Sequence, residues 1–589
     1  METKNIHEII EFLKSNGITL FVKENQLGIK RKKGSEISDD ILATIKSNKE
    51  QLISVLSRQK SQSRNKIKTA SDYGLPVSVT NKELADFLKL PAHQSDISDI
   101  YALTPLQEGL LFHSLYENNT SAYIVQFQCD LIGTFSKASF DKAWAYLIEK
   151  HTILRTAIFT EALDIPVQCV YNRVEMPVTE IDFSKHSEDA KNKEVAEFLE
   201  KDRTAGFPLE KAPLFRVTLL NLGNNRTRMV FTNHHILWDG WSFSSLMGSF
   251  MACYKQLEDN GTLPKVTLDD YGAHIRRISG NNDSIGLAYW KNYLSDVTSP
   301  TYFPFINDVA KRNKIFGNTD DLLVLPKDFS TNINTFAEQN RITVNTLLQG
   351  VWLYLLSKYT AQETVVFGAT VSGRDSNVKG IEDKVGLYIN TIPVCSHVHD
   401  NVKIADWLQT IQKEHTIARE EHSYLPLSSV ESQSNIKGSL FDSILVFENY
   451  PVEEILTESK SSFEIENVEE TESTNYTLAI SAAQSGNGLA INFMYNDTIV
   501  SVESITKIKN HLQTLLKSFL HGAEYIGDLE YLTTDEHTEL LDLFNTTSVE
   551  YTQTATIRSL FEAQVAKTPN ATAIVFKDEK LTYQELDEQ

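Results

Sequence analysis

Residues 214–257 read as strand, tight turn, strand, sharp corner and long helix, and this stretch limits the chain to folds in which a sheet feeds a buried helix. β-rich runs at 214–222 and 227–232 flank Gly223, Asn224 and Asn225, the residue types a hairpin turn demands. Leu246, Phe250, Cys253, Tyr254 and Leu257 then recur at helical spacing, so a helix begins just after Gly240 and Ser242. Between strand and helix lies the run His234, His235, Ile236, Leu237, Trp238, Asp239, Gly240.

A corner of this kind suits proton chemistry, because histidine is the side chain that exchanges a proton near neutrality. Successive strand residues point to opposite faces, so one histidine meets reactants and the other supports the loop unless the strand has already ended. Asp239 either accepts a hydrogen bond from an imidazole or pairs with an arginine, and Gly240 lets backbone approach a substrate oxygen. A histidine pair beside a carboxylate is also what a satisfied structural cluster looks like, so the corner alone does not decide.

At 589 residues, 41% of them hydrophobic, the chain supports several cores and more than two structural units are expected. A net charge of -22 opposes general binding to nucleic acid or anionic membrane, which needs a basic surface. Cys129, Cys169, Cys253 and Cys395 lack metal-ligand or redox spacing, and the other histidines show no ligand pattern. No apolar run reaches membrane-span length and the start lacks a secretory core, so a cytoplasmic protein without membrane or nucleic-acid partners is expected.

Further motifs flank the corner in order. Residues 101–113 read YALTPLQEGLLFH and 151–159 HTILRTAIF; after the corner come Gly373 and Arg374, then VGLYINTIP at 385–393, HSYLPL at 422–427 and FDSILVFENYP at 441–451. With HHxxxDG, this series resembles the condensation domains of non-ribosomal peptide synthetases, relatives of the chloramphenicol acetyltransferase fold. The resemblance implies an α/β (α+β) fold over residues 97–530, with an N-lobe over about 97–268, a C-lobe over about 269–530 and one active site.

It also implies the reaction. Donor and acceptor carrier proteins bring thioesters on phosphopantetheine arms to a tunnel between the lobes, and the acceptor amine attacks the donor carbonyl. The chain itself binds no cofactor, the arms belonging to the carriers. His235, matching the second motif histidine, either removes the proton from the nitrogen or holds the amine in line, and His234 supports the loop. Asp239 forms a buried bridge with an arginine, Arg374 in preference to Arg155. Asn390 is expected to be a buried hydrogen-bonding residue and His113 a surface or packing residue, while Trp238 and Trp241 line the tunnel or belong to the core.

Three rivals remain: an epimerisation domain, which shares the histidine motif; a non-catalytic recruitment domain of the same fold; and an acyltransferase using free coenzyme A. The intact motif disfavours heterocyclisation. The stretches around Thr104 and Trp238 look like the subclass whose donor ends in a D-residue, which implies an upstream subunit ending in an epimerisation domain.

Residues 1–59 read as a separate αββαα unit, with Ile6, Ile9, Ile10 and Leu13 on the first helix and two short strands around 19–23 and 27–32. Residues 1–60 carry nine lysines and two arginines against eight acidic residues, about +3 in a strongly acidic chain. Lys30, Arg31, Lys32 and Lys33 cluster at the hairpin's end. The unit resembles β-hairpin docking domains of multi-protein synthetases, which implies capture of an acidic C-terminal tail of the upstream subunit by strand addition and charge. Residues 60–96 read as a polar linker with a helical run at 82–90. Residues 531–589 read as a second linker, and IRSLFEAQVAKTP at 557–569 with LTYQEL at 581–586 resembles the truncated opening of an adenylation domain in a longer synthetase.

Overall fold

Asn224 and Asn225 sit at positive φ, 52° and 58°, and join Phe215–Gly223 to Arg226–His234 through a two-residue turn. Such turns match the twist of paired strands, and asparagine tolerates the left-handed conformation they require. The computed structural model describes residues 18–23, 26–31, 45–46, 49, 52, 68–90, 97–116, 123–161, 163–312, 319–374, 378–448, 462–472, 474–485, 488–550 and 554–589.

This hairpin forms the centre of a five-stranded sheet ordered Phe463–Thr471, Ile124–Gly133, Arg226–His234, Phe215–Gly223, Val178–Asp182. One face carries a stack of aromatic rings: Trp144 lies 5.3 Å from Phe231 and 5.1 Å from Phe250, centroid to centroid. Helices Lys137–Lys150 and Gly240–Asn260 bring Trp144 and Phe250 to that face. Ser136 caps the first helix and Asp239 the second, each accepting the backbone N–H three residues on. A smaller sheet of Ile97–Ala102, Val167–Tyr171 and Thr156–Phe159 completes the first half.

The second half is built on a six-stranded sheet ordered Thr319–Pro326, Gly488–Tyr495, Leu478–Ser485, Ser443–Glu448, Thr364–Val371, Asn390–His397. Helix Val344–Thr360 packs against it and is buried from Thr346 through Ser357, a helix apolar on nearly every side because Lys327–Gln339, Ile404–Glu421 and Val502–Leu520 surround it. The two halves hold separate aromatic and aliphatic cores, the two-lobed arrangement expected.

A division near residue 268 follows chain order but not the sheets. Strand Phe463–Thr471 leaves the second lobe and pairs antiparallel with Ile124–Gly133, and Ile381, Val385 and Tyr388 pack into the first lobe's core. The edge of Ile124–Gly133 offers unpaired backbone groups, and a strand from the other lobe satisfies them. The linker also proves partly ordered. Helix Asn81–Phe87, closed by a Thr80–Glu83 capping box, packs Leu84 and Phe87 against Ile100, Phe159 and Val167.

At the N-terminus, Ile18–Lys23 pairs with Gln26–Arg31 in an antiparallel hairpin. Lys30 is exposed and Arg31 ends the strand, whereas Lys32, Lys33 and the first helix lie outside the described residues. Ile45, Lys46, Lys49 and Leu52 are helical, with Ile45 and Leu52 buried. At the other end, Ile557–Lys567, Thr572–Phe576, Glu579–Thr582 and Tyr583–Glu588 form a small helix–hairpin–helix unit. The four cysteines are unpaired, and among the described residues no helix is long and apolar enough to cross a membrane and no cluster suits a metal ion.

Candidate active site

His234 is the last residue of its strand, opposite Ile124, and the His235 N–H still donates to the Tyr123 carbonyl at 2.8 Å. The strand alternation therefore persists through the pair and separates the two rings. His234 is buried, and its Nδ1 accepts the Ile236 N–H at 3.1 Å, which leaves the proton of the neutral ring on Nε2. Burial, with the neighbouring His235 adding to it, pushes its pKa down to about 3.

His235 faces the other way and is 19% exposed. Its Nδ1 lies 3.0 Å from the Trp238 carbonyl and its Nε2 3.0 Å from Oε1 of Glu472. Burial pushes its pKa down, but the Glu472 carboxylate and the Trp238 carbonyl outweigh it and raise the value to about 9. At neutral pH the ring is thus an imidazolium donating from both nitrogens. Burial pushes Glu472 up, and His235 more than reverses this, holding the carboxyl below its usual range. Glu470 beside it is raised to about 8 by burial and by the charges of Glu472 and Glu448. Glu472 is the functional candidate that sequence reasoning missed.

Asp239 is fully occupied as a junction. Its Oδ1 accepts the Ser242 N–H at 2.8 Å, its Oδ2 accepts the Tyr388 N–H at 2.9 Å, and Arg374 donates to Oδ1 at 3.3 Å. The side chains of Asp239 and Arg374 are 2% and 5% exposed, so this is a buried bridge between the lobes. Arg374 also donates to the Ile381 and Lys384 carbonyls and to Ser242 Oγ at 2.7 Å, and its guanidinium lies 4.4 Å from the Tyr388 ring centre. Ser242 Oγ in turn donates to the Gly386 carbonyl. An aspartate just before the helix fits a capping pattern, so the Asp239–Ser242 cap was open to detection in the sequence, whereas the Ser242–Gly386 contact was not. Gly240 is the first helical residue after the cap.

Arg155 lies elsewhere. It donates to the carbonyls of Ile148 and Tyr171 and anchors the end of helix Lys137–Lys150, with no bond to Asp239. Asn390 is buried and donates to the Ser423 and Leu425 carbonyls at 2.7 and 2.9 Å. Trp238 is buried against Phe215 and Phe231, whereas Trp241 donates from Nε1 to the Glu382 carbonyl. The His113 side chain falls outside the described set. His151 of the second motif is buried, its Nδ1 2.8 Å from Asp269, whose carboxylate also accepts from Lys384 and the Val385 N–H.

A cleft of about 500 Å³ opens beside the bridge, lined by Thr104, His274, Arg374, Tyr388, Asn390 and Tyr424, and so by both lobes. A second cavity, of about 470 Å³, lies against helix Glu188–Thr204; its Arg226 and Arg228 are already committed to Asp130, and it lies away from the histidine corner.

The site also bears on stability. Gly373 has φ of +56°, and a Cβ there would stand 2.0 Å from the Tyr388 carbonyl oxygen. Gly373→Ala is expected to cost about 1–3 kcal/mol or more, read as a lower urea midpoint. The depressed pKa of buried His234 means that the unfolded chain binds a proton which the native ring refuses. Its effect on stability is absent above pH 6.5 and grows as pH falls towards 3, by up to about 1.4 kcal/mol per pH unit. His274 and His415, each lowered to about 4 chiefly by burial, act in the same direction. The urea midpoint should therefore drop steeply between pH 6.5 and 4.5, and less so in His234→Asn than in wild type.

Residues 97–541 match the family model for the condensation domain. The chain belongs to the condensation-domain family. Ahead of the condensation domain, residues 6–58 match the TubC N-terminal docking domain. Tyrocidine synthase 2 of Brevibacillus parabrevis is 33% identical over 502 residues, covering 84% of this chain, which spans only 14% of that synthase's length. Among solved structures, the first condensation domain of the calcium-dependent antibiotic synthetase, in complex with a substrate analogue, superposes with a TM-score of 0.60 at 18% identity, covering 74% of this chain and all of that one. The cyclization-docking bidomain of the EpoB synthetase from Sorangium cellulosum gives 0.61 at 14% identity, covering 88% and 99%. The condensation domain thus shares the fold of the two-lobed synthetase domains.

Proposed function

We propose that this condensation domain forms an amide bond between a donor acyl or peptidyl thioester and an aminoacyl acceptor, both held on carrier-protein phosphopantetheine arms. The observation that carries the proposal is the intact corner: His235, partly exposed, presents its Nε2 to Glu472 while Asp239 and Arg374 fix the same loop to the second lobe. His235 meets the attacking nitrogen. As the C–N bond forms and the C–S bond breaks, the nitrogen loses two of its ammonium protons, one ending on the thiol and one in solvent. An amine attacking a thioester is intrinsically fast, so holding two arms in line supplies much of the acceleration.

The test is to load one carrier with donor and a second with acceptor and to follow the dipeptidyl thioester by intact-protein mass spectrometry. Both donor epimers are run, because the motif flanks favour a donor ending in a D-residue. Product from wild type supports condensation; its absence with competent carriers moves a recruitment role to first place.

The docking hairpin would take an acidic C-terminal tail from the preceding subunit along its basic edge, with Lys30, Arg31, Lys32 and Lys33 giving selectivity. Replacing all four by glutamate is expected to weaken capture of such a tail at least tenfold, and to reverse the loss of wild-type affinity with rising salt, both readable by calorimetry. The unit at 554–589 would open an adenylation domain; its exposed Ile557, Leu560, Val575 and Phe576 suit burial by further sequence of that domain.

A further inference from the structure

The His235–Glu472 contact joins two groups that the fold brings together from different lobes. Glu472 directly follows strand Phe463–Thr471, whose Thr471 pairs with Gln126, two residues along the neighbouring strand from Ile124, the partner of His234. The register is held by Glu469, which accepts from Gln128 at 2.7 Å, and by Asn467, which donates to Asp130 at 2.7 Å. The crossover strand therefore delivers the Glu472 carboxylate to Nε2, the ring atom on the reactive side, while Trp238 occupies Nδ1. Glu472 is 35% exposed, so the contact is open to an incoming group. A partly solvated ion pair of this kind adds little to folding stability. Its place on Nε2 calls for another explanation.

We propose that Glu472 is a positioning residue for amide formation: it holds the His235 ring in line from the crossover strand and receives the acceptor's ammonium group when that group enters. The proposal rests on the condensation reading above. In the resting site the imidazolium occupies the carboxylate. An arriving ammonium brings a second positive charge to the same carboxylate, and the repulsion drives the Nε2 proton of His235 into solvent. The neutral ring then takes one proton from the ammonium. The freed amine attacks the thioester carbonyl, the C–S bond breaks, and the remaining surplus nitrogen proton passes to the departing sulfur.

Other charges near this pair are His234 on the opposite face, Glu470 on the same strand, Glu448 at the end of Ser443–Glu448 and Asp320 on Thr319–Pro326. Glu448 and Asp320 favour a cation beside Glu472, and Glu470, raised to about 8, adds its charge only above that pH.

The test uses Glu472→Gln in the full chain. Nuclear magnetic resonance of the His235 ring, read without carriers, is expected to show titration near pH 9 in wild type and below 6.5 in the variant. With loaded carriers, the acidic limb of kcat/KM should move down with the ring, and KM for the acceptor carrier should rise about tenfold, equivalent to one charged hydrogen bond, while KM for the donor carrier stays unchanged. Glu472→Asp should restore the titration in part. An unchanged ring titration, or equal loss for donor and acceptor, would overturn the proposal. Absence of product from wild type with competent carriers instead defeats the condensation reading and the acceptor's role with it, and the carrier-free titration tells that failure apart.

Discussion

Asp239→Ala is expected to lower folding stability by about 3–5 kcal/mol, because it leaves the Arg374 guanidinium buried without its counter-charge. The cost has several parts. The Ser242 N–H loses its cap acceptor, the Tyr388 N–H loses its partner from the other lobe, and Arg374 keeps only neutral acceptors. Removing the arginine as well, in Asp239→Ala with Arg374→Met, should be less damaging than the sum of the single changes, since no uncompensated charge remains. Urea midpoints of the two single variants and the double variant check this. Additive losses would mean that the bridge carries no coupling. On the proposed function, condensation should fall in all three, because Arg374 and Tyr388, which the bridge holds in place, both line the cleft.

His235→Ala is expected to behave in the opposite way: its cost in stability is smaller than that of Asp239→Ala and is greatest below pH 6.5, while turnover at saturating carriers falls about 10²–10⁴-fold. The ring is partly exposed and belongs to neither lobe's apolar core. On the proposed function, what its loss removes is the group that meets the attacking nitrogen. His234→Ala gives the converse, since the Ile236 N–H would be left buried without an acceptor, at about 1–3 kcal/mol, and the corner would loosen. Intact-protein mass spectrometry and urea titration on the same preparations separate the two histidines. The ring pair also sets opposite pH limits. His234 costs stability as pH falls below 6.5, whereas the stability contributed by the raised pKa of His235 is fully present below 6.5 and is lost as pH rises through about 9.

Much of this was legible in the chain because it is local. The hairpin needs only β-rich runs around Asn224 and Asn225, the helix only a cap at Asp239 and apolar residues at its spacing, and the opposite faces of His234 and His235 follow from strand geometry. The motif series then points to the fold and to Arg374 rather than Arg155. Other features lay beyond it. The helical run at 82–90 was legible within residues 60–96, but the core that its Leu84 and Phe87 find was not, because it exists only once Ile100 and Phe159 are in place. Nor does the acidic run at 464–472 reveal that its strand crosses to the first lobe, or that Glu472 ends against His235. Side-chain periodicity reports which face of an element is buried, and this chain's own residues determine that. Which sheet edge a strand completes depends on backbone groups left unpaired far away, and only the tertiary structure decides it.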